Sequence, residues 1–273
     1  MGRVEGKVAL ITGAARGQGR SHAVRLAEEG ADIVAIDICG SVPTAPYELG
    51  TTVDLEQTAD AVRALGRRVA THAVDVRDYP ALQAAVDQSV EALGHLDIVI
   101  ANAGIVSFGA MVDMSEETWQ DMIDINLTGA WHTCKAAIPR LTDGGAIVIT
   151  SSIAGLTGLA NVGHYVAAKH GLVGLMRTLA SELAPRFIRV NTVHPTEVDT
   201  PMIQNDAHYR LFRPDLATPD REDFAEAAEA LHLLPVRWLD PIDVSNAVLF
   251  LVSDEARYIT GVSLPIDAGM TQK

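Results

Sequence analysis

The chain has 273 residues, nearly half of them hydrophobic, and a net charge of −14. This length suits one domain with a large core over residues 1–273 and is short for two domains joined by a linker. The acidic balance argues against nucleic acid as a partner, because phosphate binding needs a basic face, and against anionic membrane surfaces. No apolar run reaches the length of a membrane span, and no signal peptide is recognisable. We therefore expect a cytoplasmic protein.

Short apolar runs alternate with longer helical patterns along the chain. Several runs are apolar throughout, which is typical of strands buried on both faces of a parallel sheet. The predicted strands are KVALITG (7–13), DIVAID (32–37), RVATHAVD (68–75), LDIVIANAG (96–104), GAIVITSS (145–152), IRVNTVHP (188–195) and VSLPIDAG (262–269). The longest helical patterns cover 116–141 and 164–183. This alternation predicts an α/β fold with a doubly wound parallel sheet, in which ligands bind at the carboxyl ends of the strands.

A glycine-rich loop, TGAARGQG (12–19), joins the first predicted strand to the first helix. Gly13, Gly17 and Gly19 permit a tight turn and bring the N–H groups of a helix N-terminus close to a pyrophosphate. Asp37 ends the next strand, where its carboxylate is placed to bind the hydroxyls of an adenosine ribose. A 2′-phosphate would meet a negative charge there, so NAD is predicted over NADP. Each feature alone also fits an ordinary turn or strand end.

Further polar residues fall at the ends of the third and fourth predicted strands. Asp75 is a candidate to receive the adenine amino group. Asn102, followed by Ala103 and Gly104, is a candidate to tie neighbouring strand ends together. Turn chemistry alone would explain each of them equally well.

Tyr165 and Lys169 lie four residues apart in a predicted helix and so share one face. A phenol has an ordinary pKa near 10, and a nearby ammonium group favours the phenolate and lowers that pKa. Tyr165 would then exchange a proton with a substrate near neutral pH. Ser152 ends the fifth predicted strand just before this helix, and its hydroxyl is placed to hold the substrate oxygen. Together the three residues predict acid/base chemistry.

These motifs resemble the short-chain dehydrogenase/reductase family over essentially the whole chain. The matching pieces are TGAARGQG, ANAG, the asparagine of INLTGA, SSIAG, YVAAK and VHPTEVDTPM. The resemblance implies a Rossmann-type sheet of about seven strands in the order 3-2-1-4-5-6-7. It also implies a cofactor-binding half over about 1–150 and a catalytic half with a helical lid over about 200–240.

The resemblance also implies a role for each matching residue. Tyr165 would be the acid/base, and Ser152 would orient and polarise the carbonyl or alcohol. Lys169 would hold the nicotinamide ribose and lower the pKa of the tyrosine, and Asn126 would anchor a water in the proton relay. The further cofactor contacts expected are Arg16, Gln18, Ile38, Cys39, Val76, Pro195, Val198 and Thr200. No metal is expected, because the two cysteines and the histidines form no ligand cluster.

Residues 39–54, CGSVPTAPYELGTTVD, follow Asp37 at a place where the family often begins a helix at once. Two interpretations stay open: a surface insertion, or a semi-rigid flap that covers the cofactor and slows its release. With the stretch before it, the insertion resembles the mycofactocin-coupled subgroup of the family, which includes carveol dehydrogenases. That resemblance implies an NAD that stays bound and is reoxidised in place by an external redox carrier.

Residues 201–240 break the strand–helix rhythm and predict a helical lid over the substrate. Their apolar side chains predict a hydrophobic secondary alcohol or ketone, terpenoid or steroid-like, although a dimer surface would have the same composition. The apolar residues concerned are Met202, Leu211, Phe212, Leu231, Leu233, Leu234 and Trp238. The family resemblance further implies a homotetramer.

An NAD-dependent alcohol dehydrogenase is therefore the leading prediction. The first alternative is an acyl-carrier-protein ketoreductase, which Asp37 disfavours because such enzymes usually prefer NADP. The second is a non-catalytic dinucleotide sensor, which the intact set of Ser152, Tyr165 and Lys169 disfavours.

Overall fold

The computed structural model describes residues 2–273, in which seven strands form one sheet. The strands are β1 (Val8–Thr12), β2 (Asp32–Asp37), β3 (Val69–Ala73), β4 (Leu96–Ala101), β5 (Leu141–Thr150), β6 (Arg189–Pro195) and β7 (Ser263–Ile266). Their order is β3-β2-β1-β4-β5-β6-β7, and all neighbouring strands pair in parallel. The predicted fold class and strand order are confirmed.

Helices cover both faces of the sheet because alternate residues of each strand point to opposite sides. The helices are α1 (Gly17–Glu28), α2 (Thr52–Ala64), α3 (Tyr79–Leu93), α4 (Glu116–Ile123), α5 (Gly129–Ala137), α6 (Gly163–Leu183), α7 (Asp206–Phe212), α8 (Arg221–Glu229) and α9 (Pro241–Val252). Val8 and Leu10 of β1 pack in a cluster with α3, α5 and α6. Ala9 and Ile11 pack in a second cluster with α1, α2 and α9. The sheet is thus buried between two helical layers.

Two predicted boundaries differ from the structure. The long helical pattern at 116–141 is divided into α4 and α5 by a π-helical turn, Asp124–Thr128, and the sheet resumes at Leu141. The predicted loop at 39–54 ends sooner than expected, because α2 begins at Thr52. Thr51 caps this helix reciprocally with Asp54, a start signal that the sequence already carried.

The segment predicted as a lid holds two short helices, α7 and α8, joined by irregular chain. The two helices meet at Phe224, which is fully buried against the rings of Phe212 and Trp238. Among the described residues, none of the helices has both the length and the apolar character needed to cross a lipid bilayer.

Candidate active site

A cavity of about 490 Å³ opens along the carboxyl edge of the sheet. It runs from the glycine loop after β1, past the ends of β4, β5 and β6, to the lid helix α7. Strand order reverses between β1 and β4, which is where open α/β sheets bind their ligands. All predicted site residues line this cavity except Cys39 and Asn126.

The glycine loop is packed so closely that side chains would not fit. A Cβ atom at Gly13 would lie 2.9 Å from the backbone of Ala103, and one at Gly19 would lie 2.0 Å from the carbonyl oxygen of Gly13. Gly13 and Gly17 both have positive φ, +69° and +55°. The Oε1 atom of Gln18 is buried without a hydrogen-bond partner at the start of α1. The loop and helix start therefore fit a dinucleotide pyrophosphate, with a buried polar group left for the ligand.

Asp37 is fixed by backbone groups at the end of β2. Its Oδ2 accepts a hydrogen bond from the N–H of Ala15 at 2.9 Å, and its Oδ1 accepts one from the N–H of Cys39 at 3.1 Å. Each carboxylate oxygen keeps further acceptor capacity toward the cavity, which suits a ribose diol. Cys39 was predicted to contact the cofactor directly. Cys39 does not line the cavity but supports Asp37 through its backbone, burial raises the pKa of its thiol to about 11, and its contact with the cofactor stays a prediction.

The carboxylate of Asp75 already accepts hydrogen bonds within the protein, which the sequence did not indicate. Both of its carboxylate oxygens are bound by Arg77, at 2.9 Å from the backbone N–H and at 2.7 Å and 2.9 Å from the guanidinium. The same guanidinium reaches Asp121 at 2.9 Å. Asp75 lines the cavity, but its contact with an adenine stays a prediction.

Asn102 ties the ends of three strands together, as predicted. Its backbone N–H donates to the hydroxyl of Thr12 at 3.1 Å, and its amide donates to the Thr12 carbonyl at 3.1 Å. Its Oδ1 accepts from the hydroxyl of Thr150 at 3.2 Å. The floor of the cavity is therefore cross-linked by hydrogen bonds among β1, β4 and β5.

Ser152 and Tyr165 both line the cavity, and the Ser152 side chain lies close enough to the phenol to lower its pKa against the effect of burial. Ser152 begins the turn after β5, where its Oγ accepts from the N–H of Ala154 at 3.1 Å. The Nδ1–H of His194 donates to the Ser152 carbonyl at 2.7 Å, and its Nε2 lies 2.8 Å from the hydroxyl of Thr192. This histidine therefore holds the backbone of Ser152 from β6.

The predicted lowering of the Tyr165 pKa is wrong for the protein without ligands. Burial raises the pKa of Tyr165, and the nearby Ser152 side chain opposes that rise. Lys169 lies with its Nζ 5.4 Å from the centroid of the tyrosine ring and donates to the Thr150 carbonyl at 2.8 Å. Burial lowers the pKa of Lys169 to about 7, so it carries only part of a charge near neutrality. Desolvation outweighs the expected attraction.

Asn126 lies in the π-helical turn between α4 and α5. Its Oδ1 accepts from the N–H of Ile105 at 2.8 Å, and its amide donates to the Ile105 carbonyl at 2.8 Å. A Cβ atom at Gly104 would lie 2.9 Å from this Oδ1, so the strand end packs directly on the amide. Asn126 thus holds the loop after β4 from behind the cavity wall, and its role in a water relay stays a prediction.

The inserted segment is anchored over the cavity at three places; we call residues 39–51 the flap. The guanidinium of Arg16 donates to the carbonyl of Glu48. The hydroxyl of Tyr47 accepts from the N–H of Val106 at 3.0 Å, and the hydroxyl of Thr44 donates to Asp121 at 2.8 Å. The cavity is lined by four flap residues, Val42, Tyr47, Leu49 and Gly50. Sequence reasoning placed the segment correctly but missed its polar anchors.

The far end of the cavity is mostly apolar. Met202, Leu211, Phe212 and Leu231 line it as predicted, whereas Leu233 and Leu234 are exposed and Trp238 packs behind Phe224. Two polar residues that sequence reasoning missed also face this end. Glu197 and His208 lie with Oε2 and Nε2 3.0 Å apart. The sequence could have indicated Glu197, because it lies two residues beyond the carboxyl end of β6, where ligand-binding residues are expected.

The whole chain matches proteins of known sequence and structure. A family model described as enoyl-(acyl carrier protein) reductase matches residues 13–271. A (-)-trans-carveol dehydrogenase from Rhodococcus erythropolis is 58% identical, with 100% of both chains covered. The crystal structure of a carveol dehydrogenase from Mycobacterium avium in complex with NAD has a TM-score of 0.98 at 58% identity and full coverage of both chains. A short chain dehydrogenase from Mycobacterium paratuberculosis bound to NAD has a TM-score of 0.91 at 43% identity, again with full coverage.

The chain belongs to the short-chain dehydrogenase/reductase family, as its strand order, its glycine loop and these relatives agree. Within the family it is similar to the carveol dehydrogenases, which confirms that part of the predicted resemblance. The mycofactocin coupling of the subgroup stays a prediction.

Proposed function

We propose that the protein is an NAD-dependent dehydrogenase that interconverts hydrophobic secondary alcohols, such as carveol, and their ketones. The class of enzyme agrees with the family and with the 58% identical carveol dehydrogenase. NAD as cofactor is supported by the two similar structures that hold it, and by the buried carboxylate of Asp37 at the ribose position. That carboxylate would repel the extra phosphate of NADP.

The observation that carries the proposal is that Ser152, Tyr165 and Lys169 line one cavity together, with the Lys169 Nζ 5.4 Å from the centroid of the Tyr165 ring. Bound NAD supplies a hydride acceptor and, when oxidised, a positive charge. Ser152 holds the alcohol oxygen by a hydrogen bond. As the phenolate, which the positive charge of oxidised NAD would favour, Tyr165 would take the hydroxyl proton during oxidation, and as the phenol it would return that proton during reduction, a contribution of about 10²–10⁴-fold to the rate. Lys169 is held by its hydrogen bond to the Thr150 carbonyl. In this proposal its Nζ would also bind the nicotinamide ribose.

The apolar end of the cavity supports a substrate with a hydrocarbon body. Four apolar side chains from the chain after β6 face the space next to Tyr165 and Ser152, namely Met202, Leu211, Phe212 and Leu231. The short helices α7 and α8 act as a lid in this proposal. A compact terpenoid alcohol would bury its ring against this wall, with a gain of about 25 cal/mol for each Å² of apolar surface.

The flap supports a second part of the proposal, a slowly released NAD. Its three anchors hold it over the cavity between Asp37 and the loop after β4, so release requires several hydrogen bonds to open together. A cofactor that stays bound would need an external redox carrier for its reoxidation. Homotetramer formation and a cytoplasmic location remain predictions from the sequence.

Turnover by Tyr165→Phe tests the catalytic part. With carveol and NAD, we expect the variant to lose about 10²–10⁴-fold in kcat, because the proton has no acceptor, while NAD affinity stays within about threefold. NADH formation at 340 nm and calorimetry with NAD measure the two quantities. Tyr258→Phe, at an exposed tyrosine, is the matched control and should behave as wild type. Unchanged turnover in Tyr165→Phe would contradict the proposal.

A further inference from the structure

Glu197 places an acidic side chain at the otherwise apolar end of the cavity. Its backbone is fixed just beyond β6, where its carbonyl accepts from the N–H of Leu239 at 2.9 Å. The side chain is only 16% exposed and lines the cavity. It lies close enough to Tyr165 that its charge adds to the effect of burial in raising the pKa of the phenol. The carboxylate therefore faces the space where the substrate body must lie.

His208 holds this carboxylate from the lid helix α7. Its Nε2 lies 3.0 Å from Oε2 of Glu197, and its ring is enclosed by Phe108, Phe212 and Phe224, with centroids 5.6, 4.9 and 5.0 Å away. The Nδ1 atom is buried and has no partner. His208 gives Oε2 of Glu197 its single side-chain hydrogen bond, and no side chain in the described part of the chain donates to Oε1. The carboxylate therefore keeps acceptor capacity toward the cavity.

Among the described residues, no lysine or arginine pairs with the Glu197 carboxylate. In the described part of the chain, His208 is the only side chain that pairs with Glu197. The other basic residues that line the cavity are engaged elsewhere. Arg16 binds the Glu48 carbonyl in the flap, and Lys169 donates to the Thr150 carbonyl.

We propose that Glu197, held by His208, determines substrate charge: the site accepts neutral alcohols and rejects alcohols that carry a carboxylate or phosphate. The inference rests on the proposed function and adds a substrate class to it. Two negative charges about 7 Å apart in a partly buried site repel each other enough to weaken binding by about 50-fold. A cavity with an uncharged side chain in place of Glu197 would discriminate less between neutral and anionic alcohols.

The test compares two alcohols of similar shape, trans-4-methylcyclohexanol and trans-4-hydroxycyclohexanecarboxylate. We expect the wild-type protein to favour the neutral alcohol by at least about 50-fold in kcat/KM. In Glu197→Gln that ratio should fall by about 30-fold, because the amide keeps the shape and removes the charge. Glu229→Gln removes an equal charge from an exposed position of α8 that does not line the cavity, and should leave the ratio unchanged. Equal use of both alcohols by the wild type, or an unchanged ratio in Glu197→Gln, would overturn the proposal.

Binding without turnover separates this inference from the proposed function. Calorimetry with cyclohexanecarboxamide and cyclohexanecarboxylate, in the presence of NAD, compares a neutral and a charged ligand of nearly equal size. The wild type should bind the amide at least about tenfold more tightly, and Glu197→Gln should bind both within about threefold of each other. This pattern would support the charge filter even if neither alcohol were oxidised, an outcome that would contradict only the proposed dehydrogenase. Equal binding of both ligands by the wild type would overturn the filter.

Discussion

Each end of the cavity carries a carboxylate, Asp37 buried and Glu197 half-buried, and the two are held in different ways. Asp37 is fixed by backbone N–H groups of Ala15 and Cys39, so the fold itself sets its position. Glu197 is held by the side chain of His208, which belongs to the lid. The cofactor end is thus built from the sheet and its turns, whereas the substrate end depends on contacts between the lid and the chain just beyond β6. Changes at the first end should alter cofactor choice, and changes at the second should alter substrate choice.

Asp37→Asn offers the largest expected effect at the cofactor end. The amide keeps the shape and one oxygen acceptor but removes the negative charge. We expect NAD binding to weaken by about tenfold and NADP binding to tighten by a similar factor, so that the preference changes by about 100-fold. Calorimetric Kd values for both cofactors measure this. Asp60→Asn, on the exposed face of α2, is the control. A preference for NAD that survives in Asp37→Asn would show that charge at this position does not select the cofactor.

A substitution in the flap should have a smaller effect, on the rate of NAD release, and tests the cofactor end in a second way. Tyr47→Phe removes the hydroxyl that accepts from the N–H of Val106 and leaves that N–H unpaired, a loss of about 1–3 kcal/mol. Exchange of bound NAD for labelled NAD should accelerate by about tenfold, while Tyr258→Phe should leave it unchanged. Wild-type exchange within seconds would show that the flap does not retain the cofactor.

The fold and the cofactor end were predictable because their signals are local in the sequence. A buried strand, three glycines and a helix follow one another directly, and Asp37 and Asn102 each come at the end of an apolar run. In a parallel sheet such ends meet at one edge, so their proximity in space follows from the strand order. The hydrogen bonds of Asn102 to Thr12 and Thr150 confirm this inference.

The substrate end was not predictable in the same way. Glu197 and His208 are eleven positions apart, and irregular chain brings them together. The flap residue Tyr47 meets Val106 across 59 positions. The sequence also placed Tyr165 and Lys169 on one helical face, but it did not reveal how strongly the surrounding protein desolvates both side chains. Burial decided the direction of both pKa shifts, so the correct spacing led to a wrong electrostatic prediction.

Ionisation of Tyr165 in the protein without cofactor is the most direct test of this account. Absorbance at 295 nm reports tyrosinate, and subtracting the titration of Tyr165→Phe from that of the wild type isolates this one residue, over the pH range in which circular dichroism shows a folded protein. Because burial raises its pKa, we predict that Tyr165 stays protonated beyond the ordinary phenol pKa of about 10. A midpoint at or below about pH 9 would contradict the account and would show that Lys169 acidifies the phenol without help from a bound cofactor.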